Sequence, residues 1–415
     1  MVLRERVLAG PLTTYVEVTE LLAVLALATY IALLTYSPLR STDLGSPRTA
    51  AVNVTVIVPI YRDSHLVRKF FKGLKRLKYP KEKLQVIAVL ERGDEETLRE
   101  VEKVRDELGV EVIFNDSGVR SKPAALNQAL KAARGDVVAI YDVDDEPHPE
   151  QPLAAVNLIS SGVDVVQFRR VAKPLSSSCL ERGQEAEFLV WHGAVQNALA
   201  SITGTPAIAG TSYYIRRELI ELVGGWNPRA PAEDLDLTYE LVARRAKVAI
   251  SDPPSVTLPV RGLRNLLTQR SRWVRGAILA MPKALRSARS LPLALITAGL
   301  SLVTVAALTW LAIGAAAPQA LRDVPVPLTL AVTALMPASF IATAVVLARL
   351  GRRGLSTALS IAVLTGVNAL ATILAMYELI TKPREWSKVA SQSSSTYTAS
   401  YGKPSYARTG LRVMT

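Results

Sequence analysis

One cysteine in 415 residues, Cys179, and three scattered histidines, His65, His148 and His192, leave little for sulfur or imidazole chemistry. A disulfide framework cannot be built from them, and neither can a zinc cluster. No glycine-rich phosphate loop of the Walker type is present, which argues against an ATP-driven transporter. No internal repeat is visible either. Acidic residues fall short of basic ones, 36 against 49, so the chain carries a net charge of +13. Such a surplus suits nucleic acid, an anionic membrane face or phosphate-bearing substrates, and its position along the chain decides between them. The lysines and arginines gather beside hydrophobic runs, which favours membrane lipids and sets nucleic acid aside as a partner. With no disulfides to form, the soluble part reads as intracellular.

What is abundant is apolar: 49% of the residues are hydrophobic, enough for one sizeable soluble domain plus membrane segments. Crossing ~30 Å of hydrocarbon as a helix takes roughly 20 apolar residues. Four runs qualify: Leu21–Ser37, Leu291–Ala317, Val324–Ala348 and Leu355–Tyr377. The first resembles a signal peptide, but no small-residue cleavage site follows it, so it is expected to stay as an anchor. Arg40 and Arg48 follow the first run, Lys283, Arg286 and Arg289 precede the second, and Arg349, Arg352 and Arg353 join the third to the fourth. The positive-inside rule puts all these loops on the cytoplasmic side. Parity then places both termini outside, which leaves Lys382, Arg384 and Lys388 on the wrong side of that rule. The expected location is the plasma membrane, multi-pass, with the soluble domain in the cytoplasm.

From Val54 to Ile250, β-branched apolar runs alternate with amphipathic stretches, the pattern of an α/β domain with a mostly parallel sheet. Expected strands are Val54–Ile60, Leu84–Glu91, Glu111–Asn115, Val137–Tyr141 and Asp164–Phe168. Expected helices are Leu66–Leu77, Glu95–Leu108 and Lys122–Ala133, the last ended by Gly135-Asp136 with a left-handed glycine. The domain plan is an N-terminal region with one span (1–48), a catalytic domain (49–258), an interfacial amphipathic segment (259–290), three spans (291–378) and a flexible Ser/Thr/Tyr-rich tail (379–415).

Three constellations could carry chemistry. Asp142-Val143-Asp144-Asp145 ends an apolar strand, and side chains two apart share a strand face, so Asp142 and Asp144 can converge on Mg²⁺ or Mn²⁺. Solvated turn formers would look the same. Glu233-Asp234-Leu235-Asp236 opens a helix behind a Gly224-Gly225-Trp226 turn; it holds either a general base or acids favoured by the helix dipole. Gln269, Arg272 and Trp273 stand at i, i+3 and i+4 in a basic segment whose Leu263, Leu266, Leu267 and Ile278 form an apolar stripe. An interfacial helix at the lipid headgroups is the plainer reading of that segment. Lesser signals are Glu91 and Asp94, at the carboxyl edge where open sheets bind nucleotides, and Lys122 and Asn127 after a loop containing Arg120.

Taken in order, these pieces resemble the cellulose-synthase-like branch of glycosyltransferase family 2, with its GT-A (Rossmann-like) fold. The segments are "VTVIVPIYRD", "LERGDEET", "KPAALNQAL", "YDVDDEPHPEQ", the acceptor-site stretch "GTSYYIRRELIELVGGWNPRAPAEDLDL" and "QRSRWVRG", spanning Val54 to Gly276. The chain looks like a minimal member, similar to archaeal-type mannosyltransferases of lipid-linked glycan assembly. The resemblance implies that Glu91 or Asp94 meets the nucleobase, and that Asp142 and Asp144 hold the metal. Lys122, Gln269 and Arg272 would face the donor, Asp234 would act as base, and Glu233 and Trp273 would meet the acceptor.

The implied reaction is inverting transfer of a hexose from a GDP- or UDP-linked sugar, with GDP-mannose preferred, to a lipid-linked saccharide. The sequence departs from the polymer synthases: no gating stretch of the Phe-x-Val-Thr type follows Gly276, and the few, largely non-polar spans offer little to line a polymer channel. A processive synthase using a UDP-sugar is the first alternative, and a membrane-anchored scaffold without catalysis is the second.

Overall fold

The computed structural model describes residues 2–36, 52–204, 206–301, 303, 305, 315, 326–351 and 355–381. Seven strands form one sheet: β1 (Val54–Ile60), β2 (Leu84–Leu90), β3 (Val110–Phe114), β4 (Val137–Ile140), β5 (Val165–Ala172), β6 (Tyr213–Arg216) and β7 (Val248–Thr257), in the order β3-β2-β1-β4-β6-β5-β7. β6 runs antiparallel to both neighbours and the other pairings are parallel. The central strands read as unbroken Val/Ile runs because helices cover both faces.

On one face α2 (Ser64–Leu74), α3 (Glu95–Leu108) and α5 (Gln151–Ser160) bury Phe70, Phe71, Val101 and Ile159 against the sheet. On the other, α4 (Lys122–Leu130), α8 (Arg217–Leu222) and α9 (Glu233–Ala243) bury Leu126, Ile220 and Leu241. The chain winds from β1 outward through β2 to β3, then returns to β4 on the other side of β1. That reversal opens a crevice at the carboxyl ends of the strands.

Two strands go beyond the sequence reading. β6 has four residues and owes its direction to β4 and β5, and β7 carries Asp252-Pro253-Pro254, which reads as a break from sequence alone. Its ladder with β5 shifts register between Phe168 and Arg170, at the level of that proline pair. Gly135 also differs from expectation, because it has no left-handed backbone. A Cβ there would lie 2.5 Å from the Thr55 amide, so the glycine is needed for close approach to β1.

After β5 the chain forms α6 (Cys179–Val190), a π-helical turn Trp191–Val195 and α7 (Gln196–Thr203); after β7 come α10 (Leu263–Ala284) and α11 (Leu291–Ala294). α1 (Val2–Tyr36), α12 (Val326–Arg349) and α13 (Leu355–Thr381) are apolar over Val16–Tyr36, Thr329–Arg349 and Leu359–Thr381, long enough to cross a membrane. The expected run Leu291–Ala317 is helical from Leu291 to Gly299, and most of it beyond that lies outside the described residues.

A third core ties these helices to the catalytic unit. Leu33 and Leu34 of α1 and Val346 and Leu347 of α12 pack with Ala198, Tyr239, Ala277 and Ala284. Two acidic residues, Glu17 and Glu20, sit inside the first apolar stretch, and Glu20 is 2% exposed and accepts from Thr329 Oγ1 at 3.1 Å. The run expected from the sequence, Leu21–Ser37, begins one residue after Glu20.

Candidate active site

A cleft of about 270 Å³ lies over the carboxyl ends of β1, β2 and β4 and is closed by α9 and α10. Glu91, Lys122, Asp142, Asp144, Glu233, Asp234, Gln269, Arg272 and Trp273 all line it. Of the site residues that the resemblance implies, Asp94 is absent from its lining. Its carboxylate caps α3, accepting from the Thr97 amide at 3.3 Å, and takes the Arg62 amide at 2.5 Å.

The acidic turn is built differently from expectation. β4 ends at Ile140, so Asp142 and Asp144 sit in a turn beyond it rather than on a shared strand face. Val143 is buried, as expected, and pins the turn to the core. Asp145 is fully buried and fully used: it pairs with Arg170 at 3.0 Å and accepts from Thr211 Oγ1 at 2.8 Å and Ser212 Oγ at 3.2 Å. Asp144 has no hydrogen bond or ion pair among the described residues and opens to the cleft. Enclosure by protein, with Asp145 and Asp142 next to it, pushes its carboxyl up to about 7. Burial raises Asp142 as well, against the pull of Lys122. Two crowded carboxylates, one without a protein partner, suit a divalent cation that completes its shell with phosphate oxygens and water. Among the described residues no group of three protein ligands exists, so any cation would depend on the substrate for the rest.

Lys122 joins the two halves of the cleft. It starts α4, which Ser121 caps by accepting from the Ala124 amide, and its ammonium is held at one depth by the Gly210 carbonyl at 2.9 Å. Its Nζ lies 2.6 Å from Asp142 and 3.4 Å from Glu233. Burial alone would lower its pKa, but Asp142 and Glu233 outweigh that and raise it, so the ammonium stays charged.

Asp234 stands in the first turn of α9, whose N-cap is Ala232 and offers no side-chain cap. The Asp234 carboxylate takes its own neighbour's amide, Leu235, at 2.8 Å, and Gly210 leaves room for it: a Cβ there would lie 3.0 Å from Oδ2. Burial and the adjacent Glu233 push Asp234 up to about 6, with the Leu235 amide, Lys122 and Arg272 pulling the other way. The third acid of the motif serves structure, since Asp236 pairs with Lys283 at 2.6 Å and ties α9 to α10.

The α10 triad faces the cleft as its spacing predicts. Arg272 donates to the Pro231 carbonyl at 2.7 Å, and its buried Nε has no hydrogen-bond partner among the described residues. The guanidinium of Arg270 lies 4.3 Å from the centre of the Trp273 ring and is itself held by Glu187, which fixes the ring as a cleft wall. α10 can approach α9 because residue 276 is glycine: a Cβ there would come within 2.8 Å of the Ala232 amide.

At the opposite end, Glu91 takes Asn115 Nδ2 at 2.7 Å and lies 3.9 Å from Arg120. Burial raises its pKa, against Asn115 and Arg120. Arg120 is also 5.6 Å from the Tyr61 ring, so an acceptor, a cation and an aromatic face meet at this end. Asn127 is a scaffold residue: it accepts from the Trp226 amide at 2.9 Å and donates to its carbonyl at 2.6 Å, locking the Gly224-Gly225-Trp226 turn. Tyr61, Asp63, Arg170 and Gly210 line the cleft without having been singled out from the sequence. Tyr61 and Asp63 could have been found, because they follow directly on the carboxyl end of β1.

A mostly parallel sheet with an acidic, lysine-bridged crevice at its carboxyl edge, roofed by a Gln-x-x-Arg-Trp helix, defines a glycosyltransferase of GT-A type. The chain belongs to the glycosyltransferase like family 2: residues 51–276, more than half of its length, match that family. It is 26% identical over 237 residues to the probable glycosyltransferase YdaM of Bacillus subtilis, covering 54% of each chain. It is 27% identical over 230 residues to a beta-monoglucosyldiacylglycerol synthase of Nostoc, covering 54% of this chain and 48% of that one. The chain thus spans about half the length of the curated relatives it matches. Among solved structures, the mannosyltransferase PcManGT from Pyrobaculum calidifontis, in complex with GDP-Man and Mn²⁺, superposes with a TM-score of 0.60 at 22% identity, covering 91% of this chain and 100% of that one. That likeness establishes the shared fold.

Proposed function

We propose that the enzyme transfers a hexose, with inversion, from a nucleotide-diphosphate sugar to a lipid-linked acceptor at the membrane surface. The observation that carries this reading is the Lys122 ammonium, which touches Asp142 on the donor side and Glu233 on the acceptor side. Leaving group and attacking hydroxyl are thereby confined to the two sides of one charge.

Glu91, with Arg120 and Tyr61 beside it, receives the base. A carboxylate there accepts the N–H of uracil or the paired N1–H and N2–H of guanine. Asp142 and Asp144 would hold Mg²⁺ or Mn²⁺, which when bound supplies charge neutralisation for the departing diphosphate. Arg272 and Gln269 face the same space, while Lys122 keeps a fixed positive charge beside it. Asp234 accepts the proton of the acceptor hydroxyl as the glycosidic bond forms, a contribution of roughly 10²–10⁴-fold. The acceptor hydroxyl, deprotonated by a base that faces the donor across the cleft, attacks the anomeric carbon from the side opposite the departing diphosphate, hence inversion. Trp273 gives the acceptor sugar a flat apolar wall and excludes water.

The lipid acceptor is supported by what surrounds Asp234. Its own helix, through Leu235 and Tyr239, shares a core with the ends of α1 and α12, so the acceptor end of the cleft adjoins the membrane helices. We take GDP-mannose as the donor, in keeping with the GDP-Man complex of the Pyrobaculum structure, and the catalytic unit as cytoplasmic. Labelled nucleotide sugars supplied to membranes test this. A short, organic-extractable glycolipid formed from GDP-mannose is expected; a long water-soluble polymer, or transfer from UDP-sugars alone, would overturn it.

A further inference from the structure

α13 has the composition of a span, yet its contacts run along the catalytic unit. Near its start, the Ser360 carbonyl sits so close to α6 that a Cβ on Gly183 would approach it to 2.6 Å. In its middle, Leu364 and Val367 pack on Leu266 of α10. Near its end, Ser271 Oγ bonds Glu378, whose carboxylate also lies 3.2 Å from Arg275 Nε. The stretch from 360 to 378 is ~27 Å of helix at 1.5 Å per residue. That is nearly the whole thickness of a hydrocarbon core, ~30 Å.

Both partner helices, α6 and α10, also carry buried charge. α6 carries Glu181, which accepts the Leu175 and Ser176 amides and pairs with Arg261 at 3.2 Å, and Glu187, which pairs with Arg270. If α13 crossed the bilayer, this charged scaffold would run beside it through the hydrocarbon. Of the apolar stripe of α10, expected to face lipid, Leu266 and Leu267 are packed under α13 and Ile278 joins the core shared with α1 and α12, while Leu263 stays exposed. The opposite face of α13 is an exposed apolar stripe along its whole length, Leu359, Val363, Leu370, Ile373, Tyr377 and Ile380.

α1 and α12 behave otherwise. They run parallel, with Glu20 against Thr329 and Tyr30 against Thr343, and their C-terminal ends pack on the catalytic unit. α12 therefore delivers the chain to the catalytic face, where Leu350 packs on Gly193.

We propose that α13 lies in the plane of the membrane, on the face that carries the catalytic unit, with its outer stripe sunk into the acyl boundary. The chain then leaves α13 at Thr381 on that same face. The occupant of the stripe is lipid, because basic residues flank α13 on both sides: Arg349, Arg352 and Arg353 before it, Lys382, Arg384 and Lys388 after it. On one face these six charges meet an anionic headgroup layer and satisfy the positive-inside rule together. With α13 crossing, the second three would oppose it. α13 thus replaces α10 as the surface that rests on lipid, and through Glu378 it is fastened to the Gln-x-x-Arg-Trp helix.

Two measurements on the full-length protein test this. In sealed vesicles of either orientation, an impermeant maleimide labels the exposed native Cys179 from the catalytic side. Ser387→Cys in a Cys179→Ser background should be labelled in the same vesicles, and labelling only from the opposite face overturns the proposal. Spin labels at Leu359→Cys, Leu370→Cys and Ile380→Cys should report one common shallow depth in lipid. A crossing helix would put these three labels at clearly different depths, position 359 and position 370 being ~16 Å apart along the axis. Protection of all three from lipid-soluble oxygen, as a second copy of the chain on the stripe would give, overturns it equally.

Discussion

Replacing Lys122 with methionine keeps the volume of the side chain and removes the charge that Asp142 and Glu233 share. Both pairs are enclosed, with 14% of the lysine side chain exposed against 32% for Asp142 and 6% for Glu233. Breaking a buried pair by deleting one partner costs about 3–5 kcal/mol, and since solvent partly screens Asp142, the lower figure, about 3 kcal/mol, is expected at neutral pH. The sign with pH follows from the carboxylates. Burial and its neighbours push Asp234 up to about 6 in the folded protein, against an ordinary value near ~4, and loss of the ammonium raises it and Asp142 further. An acid whose folded pKa is raised binds more protons folded than unfolded, so stability falls as pH climbs from ~4 through the folded pKa. The deficit of Lys122→Met should therefore be small near pH 4.5 and grow as pH climbs through and beyond about 6. In thermal unfolding with chelator present, about 3 kcal/mol corresponds to a drop of roughly 6–12 °C. A deficit that is constant with pH, or largest in acid, would refute the reasoning.

Further expectations concern catalysis. Asp234→Asn should keep donor affinity and lose turnover by about 10²–10⁴-fold, as expected when only a transition-state interaction is removed; collapse of donor binding would instead assign Asp234 to the donor site. In the unaltered enzyme, kcat/KM should fall as pH drops below about 6, because the base must be ionised, and a profile flat to pH 5 would argue against Asp234. Asp142→Asn or Asp144→Asn should abolish activity in a protein that still melts cooperatively, and full turnover in excess chelator would remove the metal from the reaction. Gly276→Ala forces a methyl against the Ala232 backbone, so it should destabilise by about 1–3 kcal/mol and raise the acceptor KM more than the donor KM, since the α9 start moves.

Much of this was legible in the chain because it is written locally. β1 and α3 run over the residues their periodicity indicates, and α10 presents Gln269, Arg272 and Trp273 together because a helix sets i, i+3 and i+4 on one side. The acidic motifs were visible as residue types at turns, and their order along the chain identified the family. What only the tertiary structure decided depends on groups far apart in sequence. Asp94 looks like Glu91 until the Arg62 amide is seen to occupy it. Lys122 becomes the centre of the cleft only when β4 and α9 bring Asp142 and Glu233 to it. Hydropathy marks α13 as apolar, but whether an apolar helix crosses a bilayer or lies along it is set by what its other face touches. That contact, from Gly183 to Arg275, joins residues which the local pattern cannot relate.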